Sequence, residues 1–423
     1  MHAGIRLIVA PVLLVLTACA GQEPPTAPIT SLPRDLTPAE ARIVQADNSF
    51  TFALLRETLG REPAGANVFI SPLSVAMALG MTYNGANGAT ATAFEQTLQL
   101  AGLTRDEINA SYRGLIDLLR GLDPTTTFTI ANSIWYRQDY VFDPAFLQTN
   151  RTYFDAEVQG LDFASPSAAG TINGWVSDAT AGRITQIVSD PIPADMIMYL
   201  INAIYFKGSW THRFDASLTQ PQPFHRADGS VVQAPLMTHG GEVPVRVLAV
   251  ADETVTDGAR ASVLDLPYGG GAYSMTIVLP ALGVPIDSVA ARLTQAQWDT
   301  WISRLDSGET RIFLPKFTLR YELPADDVLR AMGLAPAYCD AIPEPDFTRM
   351  YPPGGACISE VKHKTFVLVD ELGTEAAAVT SVGVGVTSVP VAFRVDRPFL
   401  FAIRERFSGT VLFVGRVMDP TAP

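Results

Sequence analysis

The side chains best suited to acid–base, nucleophilic or metal chemistry are few and dispersed. The five histidines, His2, His212, His225, His239 and His363, form no spacing with a cysteine that would suggest zinc. No Gly-x-Ser-x-Gly elbow, His-Glu-x-x-His pair or glycine-rich phosphate loop occurs. Gly269-Gly270-Gly271 follows Leu266-Pro267-Tyr268 and precedes a strand-like run, so it reads as a hairpin turn. A hydrolase would have to assemble its triad from distant residues, and nothing points to one. No cofactor and no metal are expected. What remains is covalent chemistry at three cysteines and one long segment that suits neither an ordinary loop nor an ordinary strand.

That segment runs from Glu371 to Pro390. Alternate residues from Thr374 (Ala376, Ala378, Thr380, Val382, Val384, Val386) are all small or β-branched, and none is charged. The other register holds Glu375, Ala377, Val379, Ser381, Gly383 and Gly385. This is a period-two pattern with one buriable face. As a strand it would be about 13 residues, against a usual 5–6. Left on an exposed edge it would invite aggregation. A segment able to serve first as loop and then as central strand resolves the conflict; a long edge strand or an Ala/Val/Gly linker is the alternative.

The cysteines divide into one and two. Arg6 leads into an apolar run from Leu7 to Leu16, too short to span a bilayer as a mature helix. It ends in Leu16-Thr17-Ala18-Cys19, which resembles the bacterial lipoprotein box. Processing there removes residues 1–18 and leaves Cys19 as an acylated first residue holding the protein to a membrane; an ordinary signal peptide with an incidental Cys is the alternative. Residues 19–37, with Pro24, Pro25, Pro28 and Pro33, read as an extended tether. Outside the cytoplasm the remaining pair, Cys339 and Cys357, suggests a disulfide, with two separate thiols as the alternative. A bridge would close a loop of about 18 residues and stabilise by roughly 3 kcal/mol.

A large body has to position these features. The chain has 423 residues, 48% of them hydrophobic, ample for one large core. Its net charge of −13 comes with scattered basic residues, so no nucleic-acid partner is expected. No linker interrupts residues 38–423, which read as one domain. Helical spacing covers 37–59, 71–81, 90–100, 105–120, 144–153 and 168–180, and again 286–293, 295–303 and 325–332. Strand-like runs cover 67–70, 128–136, 196–205, 262–266, 273–279, 310–319, 365–369, 399–404 and 411–417. Helices lead, strands then dominate, and no βαβ alternation appears, which argues for a mixed α+β domain.

Several stretches, in order along residues 38–420, resemble the serpin family. Asn67-Val68-Phe69-Ile70-Ser71-Pro72-Leu73-Ser74 is similar to its entry into the second helix. Asn202-Ala203-Ile204-Tyr205-Phe206-Lys207-Gly208-Ser209-Trp210 is similar to the strand carrying its breach tryptophan. Leu314-Pro315-Lys316-Phe317, Met332-Gly333-Leu334 and Asp346-Phe347 follow. His363-Lys364-Thr365-Phe366-Val367-Leu368-Val369-Asp370-Glu371 leads into a hinge, and Arg397-Pro398-Phe399-Leu400-Phe401 resembles the strand beyond it. Leu368 stands where the family more often has an acidic residue, and the Cys339/Cys357 region is unusual for it.

The resemblance implies an α+β serpin fold: about three β-sheets, the large central one being sheet A, eight or nine helices, and an exposed reactive centre loop at about 371–390. It implies that a target protease cleaves the loop, forms an acyl-enzyme, and is trapped as the hinge inserts into sheet A. The reactive bond falls at Thr387-Ser388, with Val386 and Val384 as the other positions. The hinge comprises Glu371, Gly373, Thr374, Glu375, Ala376, Ala377 and Ala378; a charge at Thr374 would cost several kcal/mol to bury unpaired. Ser71, Ser74, Asn202 and His363 match the polar shutter under the sheet, Trp210 and Lys316 the breach, with Lys316 pairing Glu371 and Trp175 packing near the sheet. No Lys or Arg lies between Lys364 and Arg394, which favours an elastase-like serine protease; subtilisin-like or cysteine proteases remain open. The other readings are a non-inhibitory serpin acting as a binding or chaperone module and, further off, a hydrolase. The expectation is a monomeric protease inhibitor outside the cytoplasm, lipid-anchored to a bacterial membrane or cell surface or released from it.

Overall fold

The computed structural model describes residues 28–248, 260–374 and 392–422. The first helix, α1 (Pro38–Leu59), starts at a capping box: Thr37 accepts from the Glu40 amide while the Glu40 carboxylate accepts from the Thr37 amide, with Pro38 in the first turn. Five more helices form the N-terminal half, α2 (Pro72–Tyr83), α3 (Gly88–Thr97), α4 (Arg105–Leu119), α5 (Pro144–Phe154) and α6 (Ala168–Ala179). Strands β1 (Val68–Ile70), β2 (Thr126–Arg137), β3 (Glu157–Leu161) and β4 (Met198–Ser209) are interleaved with them. Next come β5 (Gln220–His225), β6 (Val231–Met237), β7 (Val243–Leu248), β8 (Ala261–Tyr268) and β9 (Tyr273–Pro280). Helices α7 (Ile286–Arg292) and α8 (Gln295–Ser303) precede β10 (Asp306–Pro315) and β11 (Phe317–Pro324), and α9 (Asp326–Leu329) continues into a wider turn through Leu334. The chain ends in β12 (Lys362–Asp370), β13 (Gly373–Thr374), β14 (Ala392–Arg394), β15 (Phe399–Glu405) and β16 (Val411–Val417).

Two sheets carry the architecture. The first has six strands in the order β11-β12-β13-β4-β2-β3, antiparallel except for β2 and β3. The second runs β1-β16-β15-β9-β8-β7-β10-β6-β5, with β14 parallel to β10. The two smaller sheets expected from the sequence are therefore continuous. Strand β10 joins them, since Asp306–Thr310 pair with β7 and Leu314–Pro315 with β6. The single strand expected over 310–319 is two strands in different sheets. Pro315 has no amide to extend a ladder, and after Lys316 the chain passes to β11 beside β12.

Strands β9, β15 and β16 are buried along their whole length, and Phe69 stacks on Phe401 and Phe413 at 5.5 and 5.2 Å. Inside this core Arg404 donates to both Asp265 oxygens at 3.0 and 3.1 Å, while Ser274 and Thr276 also donate to that carboxylate. Burial alone would raise the Asp265 carboxyl; Arg404 and the two hydroxyls outweigh it and hold it below the usual range. Cys339 and Cys357 are joined, with their Cα atoms 4.9 Å apart, beside a bridge between Tyr338 and Ile358. Gly269–Gly271 form the β8–β9 turn, as the sequence suggests.

Candidate functional site

The site begins where β12 ends. Asp370 Oδ1 accepts from the Leu372 and Gly373 amides, turning the chain so that Gly373 and Thr374 re-enter the sheet as β13. Thr374 pairs with Val369 on one side and Gly208 on the other, and it is 2% exposed. Trp210 secures the turn, its indole N–H donating to the Asp370 carbonyl at 2.9 Å and its amide to the Leu372 carbonyl at 2.8 Å. Lys316 Nζ lies 2.7 Å from one Glu371 carboxylate oxygen, and Thr219 donates to the other at 2.7 Å. Burial pushes the Glu371 carboxyl up, but these two bonds outweigh it and keep it below its ordinary range. Glu371, Gly373, Thr374, Trp210 and Lys316 thus converge, although more than 160 residues separate the earliest from the latest. Glu375, Ala376, Ala377, Ala378, Val384, Val386, Thr387, Ser388 and Cys19 lie outside the described residues.

Below β13 the sheet is open. Among the described residues Met198–Lys207 of β4 pair only with β2, and Lys362–Leu368 of β12 pair only with β11. A cavity of about 310 Å³ lies between them, with Ser71, Ser74, Asn202 and His363 in its lining. Ser71 is the N-cap of α2; its amide donates to His363 Nε2 at 2.8 Å and its hydroxyl to the Leu412 carbonyl at 2.7 Å. Ser74 donates to the Asn202 carbonyl at 3.3 Å, and Asn202 Nδ2 donates to Asn132 Oδ1 at 2.7 Å. Burial lowers the His363 imidazole to about 4, so it is neutral at physiological pH and Nε2 is free to accept. Asn202 Oδ1 is buried without a hydrogen-bond partner among the described residues, which is unfavourable until a donor reaches it. Trp175 packs edge-on to Trp135 of β2 at 6.2 Å, as expected for a residue of α6 beside this sheet.

Tyr268, Thr219 and Asn132 join the site without a motif in the sequence to mark them. Tyr268 stacks on Trp210 with ring centroids 4.5 Å apart and its hydroxyl meets Thr374. Its only local signal is its place at the end of a strand just before the glycine turn.

Among the described residues, the sheet starts a strand at one end and leaves both flanking edges unpaired below it. The sequence matches the Serpin (serine protease inhibitor) family over residues 45–420. It is 33% identical to an uncharacterized serpin-like protein of Thermococcus kodakarensis over 98% of each chain, and 32% identical to neuroserpin of Gallus gallus over 84% of this chain and 87% of that one. Among solved structures, the native thermophilic serpin tengpin superposes with a TM-score of 0.78 at 28% identity, covering 93% and 97% of the two chains. Human thyroxine-binding globulin superposes with a TM-score of 0.79 at 28% identity, covering 91% and 100%. This chain belongs to the serpin family. Members of that family are in general protease inhibitors and not proteases.

Proposed function

We propose that this serpin inhibits a serine protease as a suicide substrate, with the bait at Thr387-Ser388 and the trap in the six-stranded sheet. The observation that carries this reading is the slot between β4 and β12, unpaired among the described residues and opened at its top by Gly373 and Thr374. At about 3.4 Å per residue, the uncharged register from Thr374 to Val386 would extend roughly 40 Å, comparable to β4 itself. Filling the slot pairs a new strand on both edges. At a net of about 1 kcal/mol per hydrogen bond, that yields on the order of 10 kcal/mol, enough to hold a covalent intermediate. The bait sequence Val-Gly-Val-Thr, with no nearby Lys or Arg, suits an elastase-like enzyme with a small aliphatic pocket.

Incubation with pancreatic elastase followed by a denaturing gel tests the reading. A stable adduct is expected, lighter than the summed mass by the fragment beyond Thr387, which the acylation step releases and the denaturant strips away. Cleavage near residue 387 with no adduct would sink it and favour the non-inhibitory binding module, and an adduct with subtilisin alone would move the target class. We assign the inhibitor to a membrane surface through acylated Cys19, with His2 removed among residues 1–18. Labelled palmitate should enter the protein and fail to enter Cys19→Ser; equal labelling of both would refute the anchor.

A further inference from the structure

Tyr268 ends a strand of the ten-stranded sheet, yet its hydroxyl serves the six-stranded one. The residue is fully buried, stacked on Trp210 with 13° between ring planes and edge-on to Phe206 at 5.0 Å. Its Oη lies 2.7 Å from Thr374 Oγ1, where either group can donate. Residues on both sides of that bond leave little freedom in how β13 sits. A Cβ on Gly373, whose φ is 152°, would come within 2.0 Å of the Gly208 carbonyl oxygen. A Cβ on Gly208 would meet the Tyr268 and Phe206 rings at 3.0 Å. At Gly373 the two strands therefore approach more closely than a side chain allows, and at Gly208 the two rings leave little room for one. A slip of one residue would drive Thr374 into the place where only glycine fits, and it would exchange the two faces of the strand.

We infer that Tyr268 is a positioning residue for loop insertion. It holds Gly373 and Thr374 in the sheet before any protease arrives, and with Gly208 and Gly373 it sets the register in which the following residues enter. The physical reason is the asymmetry of buried hydrogen bonds: drawing Thr374 out of the sheet takes the partner from a phenol that water cannot reach, whereas replacing both hydroxyls by apolar groups leaves nothing unpaired. The same asymmetry explains a hydroxyl-bearing residue at 374, where an alanine would suffice for burial. The inference rests on the inhibitory reading for its consequence, but its geometry stands apart from it.

Hydrogen exchange at the Leu372–Thr374 amides, measured by mass spectrometry on the full-length protein, tests the inference in four forms. Tyr268→Phe and Thr374→Val should each speed exchange there about tenfold. The double variant should return close to the unaltered protein, because no hydroxyl is then stranded. Thr374→Ser, which keeps the hydroxyl, should match the unaltered protein. Against elastase, Tyr268→Phe should raise the moles of inhibitor consumed per mole of enzyme several-fold, since insertion then begins from a free hinge. Unchanged exchange in Thr374→Val overturns the inference even if Tyr268→Phe does not fold, and so do single effects that simply multiply in the double variant. Absence of an adduct with the unaltered protein would instead refute the inhibitory reading and leave the exchange results interpretable.

Discussion

Under the proposed trapping mechanism, Thr374→Arg is expected to make this protein a substrate of elastase in place of an inhibitor. Thr374 is 2% exposed between β12 and β4, and its hydroxyl is bonded to a buried tyrosine. An arginine there must bury a guanidinium against Tyr268, or swing the hinge out of the sheet so that its head stays in water. Either way the first rung of the new strand becomes unfavourable by several kcal/mol. Each 1.4 kcal/mol added to the insertion barrier slows it about tenfold, while hydrolysis of the acyl-enzyme keeps its own rate. The variant should be cut near residue 387 and release active elastase, with at least tenfold more inhibitor consumed per enzyme. A stoichiometry of inhibition equal to that of the unaltered protein would count against insertion as the trap.

The largest effect on stability is expected at Arg404 of β15. Arg404 and Asp265 have side chains 1% exposed, and the guanidinium makes two of the bonds that keep the carboxylate charged. Arg404→Met leaves Asp265 with two hydroxyls and the more distant Arg406 at 3.7 Å. Removing one partner of a buried pair typically costs about 3–5 kcal/mol, more than the pair itself contributes. The urea midpoint should fall markedly, and Arg404→Met combined with Asp265→Leu should recover much of the loss. A fall of less than about 1 kcal/mol in the single variant would show that Ser274, Thr276 and Arg406 suffice.

Much of this was legible in sequence, and what was not has identifiable causes. Helix starts at Thr37-Pro38 and Ser71-Pro72 fell where capping chemistry puts them. The parity of the two late cysteines pointed to the bridge that joins them. Strands β5 and β6 escaped notice because Pro221, Pro223 and Pro235 interrupt them; they lie toward the end of the ten-stranded sheet, where prolines are tolerated. The split at Pro315 was invisible because apolar residues continue on both sides, and the change is one of sheet, not of strand character. The Lys316–Glu371 pair followed from resemblance, but the Tyr268–Thr374 bond could not: a tyrosine before a glycine turn carries no mark of a partner 106 residues away. Local pattern shows that a face is buriable, whereas the atom it meets belongs to the tertiary packing.

The segments on either side of residues 375–391 are fastened to different sheets. One is β13 in the six-stranded sheet, and the other is β14 on the edge of β10 in the ten-stranded one. Beyond β14, strands β15 and β16 lie deep in that second sheet, between β9 and β1. A nick anywhere between Thr374 and Ala392 therefore severs the polypeptide without freeing either piece. The short C-terminal fragment stays behind as an interior plank, so the clipped molecule remains one particle made of two chains, free to change shape at one end because nothing at the other has to let go.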